Sequence, residues 1–251
     1  MNKINFRHLS FFVLSILGLS LLALRPAVES SPVGQTGGLH FISFKQLVNY
    51  IEDFRNNSMS HDVYKLSTDG FVEAADLQAI IDGGAQGVVF HYCIGTETGA
   101  KPYLCFQACN DSSQVNILNS DQLYRSYSEQ KSTNTSSADI TAELIGVTIT
   151  PSVNNSMING SVARTQNQNF ATLFGADVVT LGHGYFNASE VNTLIAEKSS
   201  EHLHYYWGFD ESETVNNLRL CFVGFNAGSN NNYILDSNTQ SYFSFIERSW
   251  P

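Results

Sequence analysis

Apolar residues recur with two different periods along this chain of 251 residues. Phe44, Leu47, Val48, Ile51 and Phe54 follow i, i+3, i+4, i+7 spacing, which places them on one face of a helix. Ser43 and Gln46 form a capping-box pair in front of it, and Ile42 with Leu47 a hydrophobic staple. Short helices are predicted over Ala74 to Ile81 and over Ala188 to Ile195, the second with Asn187 as cap and Glu190 at the third helical position. Val88 to Ile94, Tyr103 to Cys109, His202 to Phe209 and Leu218 to Phe225 are β-branched and aromatic runs bounded by turn residues, and they read as two antiparallel hairpins. Polar residues interrupt the apolar face of a weaker helix, Gln168 to Phe174, which Gly175 stops. Ile140 to Ile149 is apolar enough for a strand. Residues 127 to 139 read as a Ser/Thr-rich linker, and Thr150 to Asn169 shows little periodicity.

These elements occur twice in the same order. The segment from Gly70 overlays that from Gly184 without a gap at an offset of 114, and after a two-residue insertion Tyr103 to Asn110 overlays Arg219 to Asn226. Gly70/Gly184, Ala74/Ala188, Ile81/Ile195, Tyr92/Tyr206 and the run Leu104-Cys105-Phe106 against Leu220-Cys221-Phe222 are identical, and the apolar phase agrees throughout. The expected fold class is α+β, with two tandem related units, each a helix pair plus an antiparallel β-hairpin. The expected division is residues 1–30 as a signal peptide, 31–130 as the first unit, and 131–251 as linker and second unit. Two lone hairpins would expose their edges, so the units are expected to pack together or share a sheet.

Composition narrows the partners. Charged residues are 14% of the chain, with 13 Lys and Arg against 23 Asp and Glu, for a net charge of −10. The basic residues form no cluster, so the phosphate-neutralising stripe needed for nucleic acid is missing. Lys3 and Arg7 precede an uncharged run from Phe11 to Leu24, short for a membrane span and suited to an export signal cleaved near Ser30. This predicts a periplasmic or extracellular protein, with an uncleaved signal as its only membrane attachment. Cys93, Cys105, Cys109 and Cys221 have no metal or redox spacing and read as buried free thiols.

Several segments carry a resemblance. Phe54-Arg55 at a helix end, Gly-[Phe/Tyr] before a short helix, Tyr205-Tyr206-Trp207-Gly208, Leu220-Cys221-Phe222-Val223-Gly224 running into Asn226-Ala227-Gly228-Ser229-Asn230, and the closing Glu247-Arg248-Ser249-Trp250-Pro251 are similar to a group of uncharacterised exported bacterial proteins of helix-plus-hairpin type. The resemblance brings no activity with it, and the first unit departs from it at Cys105 to Cys109, which lacks the Val-Gly step.

Candidate chemistry gathers on one strand. His202 and His204 share a strand face and two imidazoles so placed can hold a metal, with Asp210 and Glu211 as oxygen ligands nearby; the first-unit counterparts, Val88 and Phe90, cannot. Alternation puts His202, His204 and Tyr206 on one side and Leu203, Tyr205, Trp207 and Phe209 on the other. Burying unpartnered histidines costs roughly 1 to 3 kcal/mol each, while burying a large aromatic gains about 2 to 3, so the aromatic side is expected in the core. His202, His204 and Tyr206 are then expected to face solvent or the groove between units, with His91 and Tyr92 as ligand-binding candidates of the other unit. The Asn-rich runs Asn226 to Asn232 and Asn110 to Ser113 read as turns before calcium loops, His183 as a turn residue, and Glu73/Asp76 as helix-start charge. No nucleophile elbow, phosphate loop or zinc-protease motif occurs, no cofactor is called for, and no catalytic residue is nominated. Two function classes follow: a non-catalytic exported protein binding a small molecule, glycan or protein between the units, and an envelope or periplasmic hydrolase.

Overall fold

The computed structural model describes residues 41–57, 68–110, 121–146, 157–174, 183–197, 200–210, 218–225 and 244–246. Among them the chain forms a mixed α+β fold of five α-helices and eleven strands in two antiparallel sheets. Strand β1 (Phe41–Ile42) leads into helix α1 (Phe44–Asn57), which opens on a reciprocal cap: the Ser43 amide donates to Gln46 Oε1 at 3.0 Å and the Gln46 amide to Ser43 Oγ at 3.3 Å. Strand β2 (Asp69–Glu73) and helix α2 (Ala74–Asp82) precede the hairpin β3 (Gly87–Ile94) and β4 (Pro102–Cys109). Then come β5 (Gln122–Arg125), β6 (Tyr127–Gln130), helix α3 (Ser137–Gly146), β7 (Met157–Asn159) and helix α4 (Gly160–Phe174). Strand β8 (His183–Asn187) feeds α5 (Ala188–Asn192), where Asn187 and Glu190 close a complete capping box. The hairpin β9 (His202–Phe209) and β10 (Leu218–Phe225) and the strand β11 (Ser244–Ile246) complete the order.

Strands from both sides of residue 130 share each sheet. Sheet A runs β1-β11-β10-β9-β2-β6 and sheet B runs β7-β5-β4-β3-β8. Each hairpin is therefore completed by a strand from the far half of the chain: β2 pairs with β9, and β8 with β3. Helix α1 packs on β9 and α4 on β3, which repeats the exchange in the helical layer.

The two hairpins meet through aromatic rings. Phe90 on β3 lies 4.8 Å from Phe222, 5.4 Å from Phe106 and 5.5 Å from Phe186, and Tyr92 meets Trp207 edge-on at 4.9 Å. Phe54 of α1 and Phe170 of α4 close the two ends of this cluster, against Phe209 and Trp207. The groove expected between the hairpins is thus filled by side chains, each worth about 2 to 3 kcal/mol of burial.

Three local expectations need correction. Of the run Ile140 to Ile149, the described part, 140–146, is helix and not strand: Ser136 and Asp139 cap α3 through contacts of 2.7 and 3.2 Å, and Ile140 and Leu144, one turn apart, are buried against α1. The stretch from Tyr127 supplies β6, because ladder bonds to β2 need backbone groups and no apolar side chains. Helix α4 begins at Gly160, eight residues before Gln168, with Asn159 Oδ1 accepting from the Ser161 amide at 2.9 Å; in its first turns Ala163 is buried while Ser161, Arg164 and Thr165 are exposed, so the apolar period there is faint.

The gapless overlay fails as well. Val88, Phe90, Tyr92 and Ile94 point into the core beside Leu203, Tyr205, Trp207 and Phe209, so face-equivalent positions on β3 and β9 lie 115 apart. A π-helical turn, Thr193–Glu197, follows α5 on the way to β9. Tyr92 and Tyr206, identical at offset 114, consequently face opposite ways.

Two outcomes test this packing. A Cβ on Gly70 would sit 2.6 Å from Tyr205 Oη and 2.8 Å from its ring carbons, so Gly70→Ala lowers unfolding stability by roughly 1 to 3 kcal/mol in urea titration, whereas an unhindered Gly→Ala in a strand raises it. All four cysteines are buried thiols outside any disulfide, and burial pushes the Cys221 thiol up to about 12, so a thiol reagent at neutral pH labels the four sulfurs only after denaturation.

Candidate functional site

Strand register builds the polar face of sheet A. Glu73 lies opposite His202 and Phe71 opposite His204, and alternation puts Asp69, Phe71 and Glu73 on the same side as His202, His204 and Tyr206. Phe71 stacks on the His204 ring at 4.1 Å, and Tyr206 tilts against it at 4.2 Å. Helices α1 and α3 and Tyr127 of β6 cover this face, so His202, His204 and Tyr206 are buried and do not face solvent or a groove. The expectation assumed that one side of β9 would be wet. Both sides are packed, and the histidines tolerate burial because each has a carboxylate partner on β2.

The inner partner is Asp69. Its Oδ1 lies 3.0 Å from His204 Nε2, its Oδ2 accepts from Thr68 Oγ at 2.7 Å, and His204 Nδ1 lies 2.9 Å from Tyr206 Oη. The tautomer with hydrogen on Nε2 lets His204 donate to Asp69 while accepting from Tyr206. Burial alone would raise the Asp69 carboxyl, but the hydrogen bond and charge of His204 and the Thr68 hydroxyl hold it below the usual carboxylate range. Thr68 Oγ also accepts from the Ser132 amide at 3.0 Å, and the Ser132 hydroxyl donates at 2.7 Å to Glu143. Glu143 receives both Arg55 terminal nitrogens, at 2.8 and 3.0 Å, which with Ser132 and Asn134 keep it low against the opposing effect of burial. A continuous polar chain thus runs from α1 through α3 to the centre of the β2–β9 seam.

The outer partner is Glu73, at the end of that seam. Tyr127 Oη donates to Glu73 Oε2 at 3.0 Å and lies 2.7 Å from His202 Nδ1, which is itself 3.2 Å from Glu73 Oε2. Since the tyrosine hydrogen goes to Glu73, His202 Nδ1 supplies the hydrogen of the shorter contact. This corner is less enclosed than the inner pair, with the Glu73 side chain 24% exposed and His202 9%. Burial and the Glu73 charge push the Tyr127 hydroxyl up, and the same two causes raise the nearby Asp76 carboxyl, so negative charge accumulates here.

The other nominated residues do not join the corner. His91 and Tyr92 lie on opposite faces of β3 in sheet B, His91 opposite Cys105 and Tyr92 in the aromatic core. Asp210 accepts from Arg219 and Tyr50 at 3.3 Å, away from the histidines' partners. Among the described residues no three His, Cys, Asp or Glu side chains gather to hold a metal, and both ring nitrogens of His204 are engaged by protein atoms. Glu211, the Asn226 to Asn232 run, Asp111 to Ser113, the export signal and the closing Glu247 to Pro251 lie outside the described residues, as does the His183 side chain. Sequence reasoning missed Asp69 as a partner, and Tyr127, Arg55 and Glu143 altogether; the alternation Asp69, Phe71, Glu73 on a short strand was the available signal. No family model, curated protein or solved structure matches the chain.

Asp69 and Glu143 give an acid limb to stability. Both carboxyls are lowered in the fold, so their contribution is present above the ordinary carboxylate value, about 4, and is lost as pH falls below it. Asp69→Asn lowers stability at pH 7 and flattens the decline below pH ~4 in chemical denaturation; an unchanged slope contradicts the assignment. Asp69→Ala, which strands His204, costs roughly 3 to 5 kcal/mol.

Proposed function

We propose that this chain is an exported protein, periplasmic or extracellular, that acts by binding, and that its ligand meets the Glu73–His202–Tyr127 corner. The apolar run from Phe11 to Leu24 and the resemblance to exported helix-plus-hairpin proteins support export. A duplicated unit supports the reading of the corner. The first five strands of sheet A, β1-β11-β10-β9-β2, match β7-β5-β4-β3-β8 of sheet B in role, and Phe54 and Phe170, 116 apart, occupy corresponding places on α1 and α4. In this reading each unit is a tandem copy that lends its first two strands to the other's sheet, one on each side of the hairpin and its following strand.

The observation that carries the proposal is a register comparison. Glu73 faces His202 where β2 meets β9, and Asn187 faces Gly87 where β8 meets β3. At this matching position sheet B has Asn187 and Gly87 in place of a carboxylate and an imidazole, so the end of the seam closes without that pair; the histidines of the sheet B seam, His91 and His183, sit at its other end. A corner with Glu73, Asp76 and a hydrogen-bond donor already committed suits a ligand that brings a cationic or donor group, such as an amine on a small molecule, an amino sugar or a peptide.

A hydrolase is the second reading, favoured by one feature: Tyr127 Oη, His202 Nδ1 and Glu73 Oε2 all lie within 3.2 Å of one another, a geometry able to pass a proton. Titration calorimetry with amines, amino sugars and short peptides separates the two. Binding is expected to be saturable, without product, and weakened at least about ten-fold by Glu73→Gln. Product formation that Glu73→Gln abolishes replaces binding by catalysis, and binding unaffected by both Glu73→Gln and His202→Ala removes the corner from either role.

A further inference from the structure

We infer that Glu129 is a positioning residue for the ligand corner: together with Ser126 it fixes a bulge in β6 that aims Tyr127 at Glu73 and His202. The inference rests on the reading of that corner as the ligand site.

The bulge follows from register. On the β2–β6 ladder Asp69 lies opposite Gln130 and Phe71 opposite Tyr127, so two steps along β2 answer to three along β6. Without the extra residue Tyr127 would lie opposite Val72, which points into the aromatic core, and its hydroxyl would leave the corner. The bulge sets it beside Phe71 instead, and the two rings stack at 6.3 Å. Ser128 carries the irregularity at a φ of 53°, in the left-handed region, and among the described residues it is the one non-glycine residue there. A backbone in that conformation persists only where its surroundings fix it.

Glu129 supplies that fixing. The Ser126 hydroxyl donates to Glu129 Oε1 at 2.9 Å, which closes a ring over Tyr127 and Ser128. Ser126 is itself tied to β4 of sheet B: its amide donates to the Leu104 carbonyl at 2.8 Å, and its Oγ accepts from the Leu104 amide at 2.9 Å. Tyr205 Oη, 3.3 Å from Ser126 Oγ, donates to the remaining lone pair, because the serine hydrogen is committed to Glu129. At the other end of the bulge Lys101 Nζ donates to the Glu129 carbonyl at 2.9 Å. Burial raises the Glu129 carboxyl, while its own amide, the Ser126 hydroxyl and the charges of Arg125 and Lys101 pull it down, so protein groups hold this side chain in place of water. Glu129 acts on the corner through the direction it gives Tyr127.

Proton–nitrogen NMR of the full chain carrying isotope-labelled histidine reads this coupling with no ligand present. The His202 Nδ1 hydrogen, given to Tyr127 Oη over 2.7 Å, and the His204 Nε2 hydrogen, given to Asp69 over 3.0 Å, supply two resonances from one face of β9. Glu129→Ala is expected to shift only the His202 resonance, as Tyr127→Phe does. Glu129→Gln keeps an oxygen to accept from Ser126 and is expected to restore the wild-type position. General loosening of the sheet would move both histidines. A His202 resonance indifferent to Glu129→Ala, one that moves together with His204, or a Glu129→Gln spectrum like that of the alanine variant overturns the inference. Affinity is expected to follow: with glucosamine as the calorimetric probe, Glu129→Ala raises the dissociation constant at least about five-fold and Glu129→Gln less than about two-fold. A wild-type chain that leaves glucosamine unbound counts against the corner as an amine site, and the histidine spectra then decide the role of Glu129 by themselves.

Discussion

The pairing of β2 with β9 holds this molecule together. It joins residue 69 to residue 206 and residue 73 to residue 202, and with the reciprocal pairing of β8 and β3 it leaves neither half of the chain with a sheet of its own. Everything else is arranged around that exchange. The inner faces of the hairpins supply a shared aromatic core, and α1 and α4 each cover strands from the opposite half. Cohesion between the halves is therefore a property of backbone ladders and core packing together.

The exchange also explains why charge is buried in sheet A. Asp69 and Glu73 come from β2 and the histidines from β9, so each carboxylate–imidazole contact crosses the seam. Arg55 and Glu143 extend the polar chain to α1 and α3, both of which pack over the same face. A buried pair of this kind adds little net stability over an apolar substitute, but breaking it is expensive. Its effect is registry: a slip of β2 by one residue would turn Asp69 and Glu73 into the aromatic core and strand both histidines.

Local signals were read well from the sequence and long-range ones poorly. The caps at Ser43/Gln46 and Asn187/Glu190 and the limits of β9 and β10 depend on neighbouring residues, and the sequence carries them openly. The fate of Ile140 to Leu144 depends on α1, which turns an apolar run of uncertain period into a helix. His202 and His204 are expected in solvent or a groove because their carboxylate partners, Glu73 and Asp69, 129 and 135 residues away, have no sequence mark beyond alternation on a five-residue strand. The gapless overlay of β3 on β9 fails for a different reason: identical tyrosines at offset 114 favour it, while the inward-facing positions of the two strands lie 115 apart, which only side-chain direction reveals.

Strand β1 is short, yet its partner is β11: Phe41 lies opposite Phe245. The rim of sheet A is thus assembled from segments about two hundred residues apart, and β11 is also the outer neighbour of β10. On the ribosome, β3 and β4 emerge long before β8, and β2 long before β9, so every early hairpin waits for a late strand. Such a high contact order makes folding slow and keeps apolar strand faces uncovered during synthesis. A chain of this topology can close neither sheet until the late strands β8 to β11 have been made.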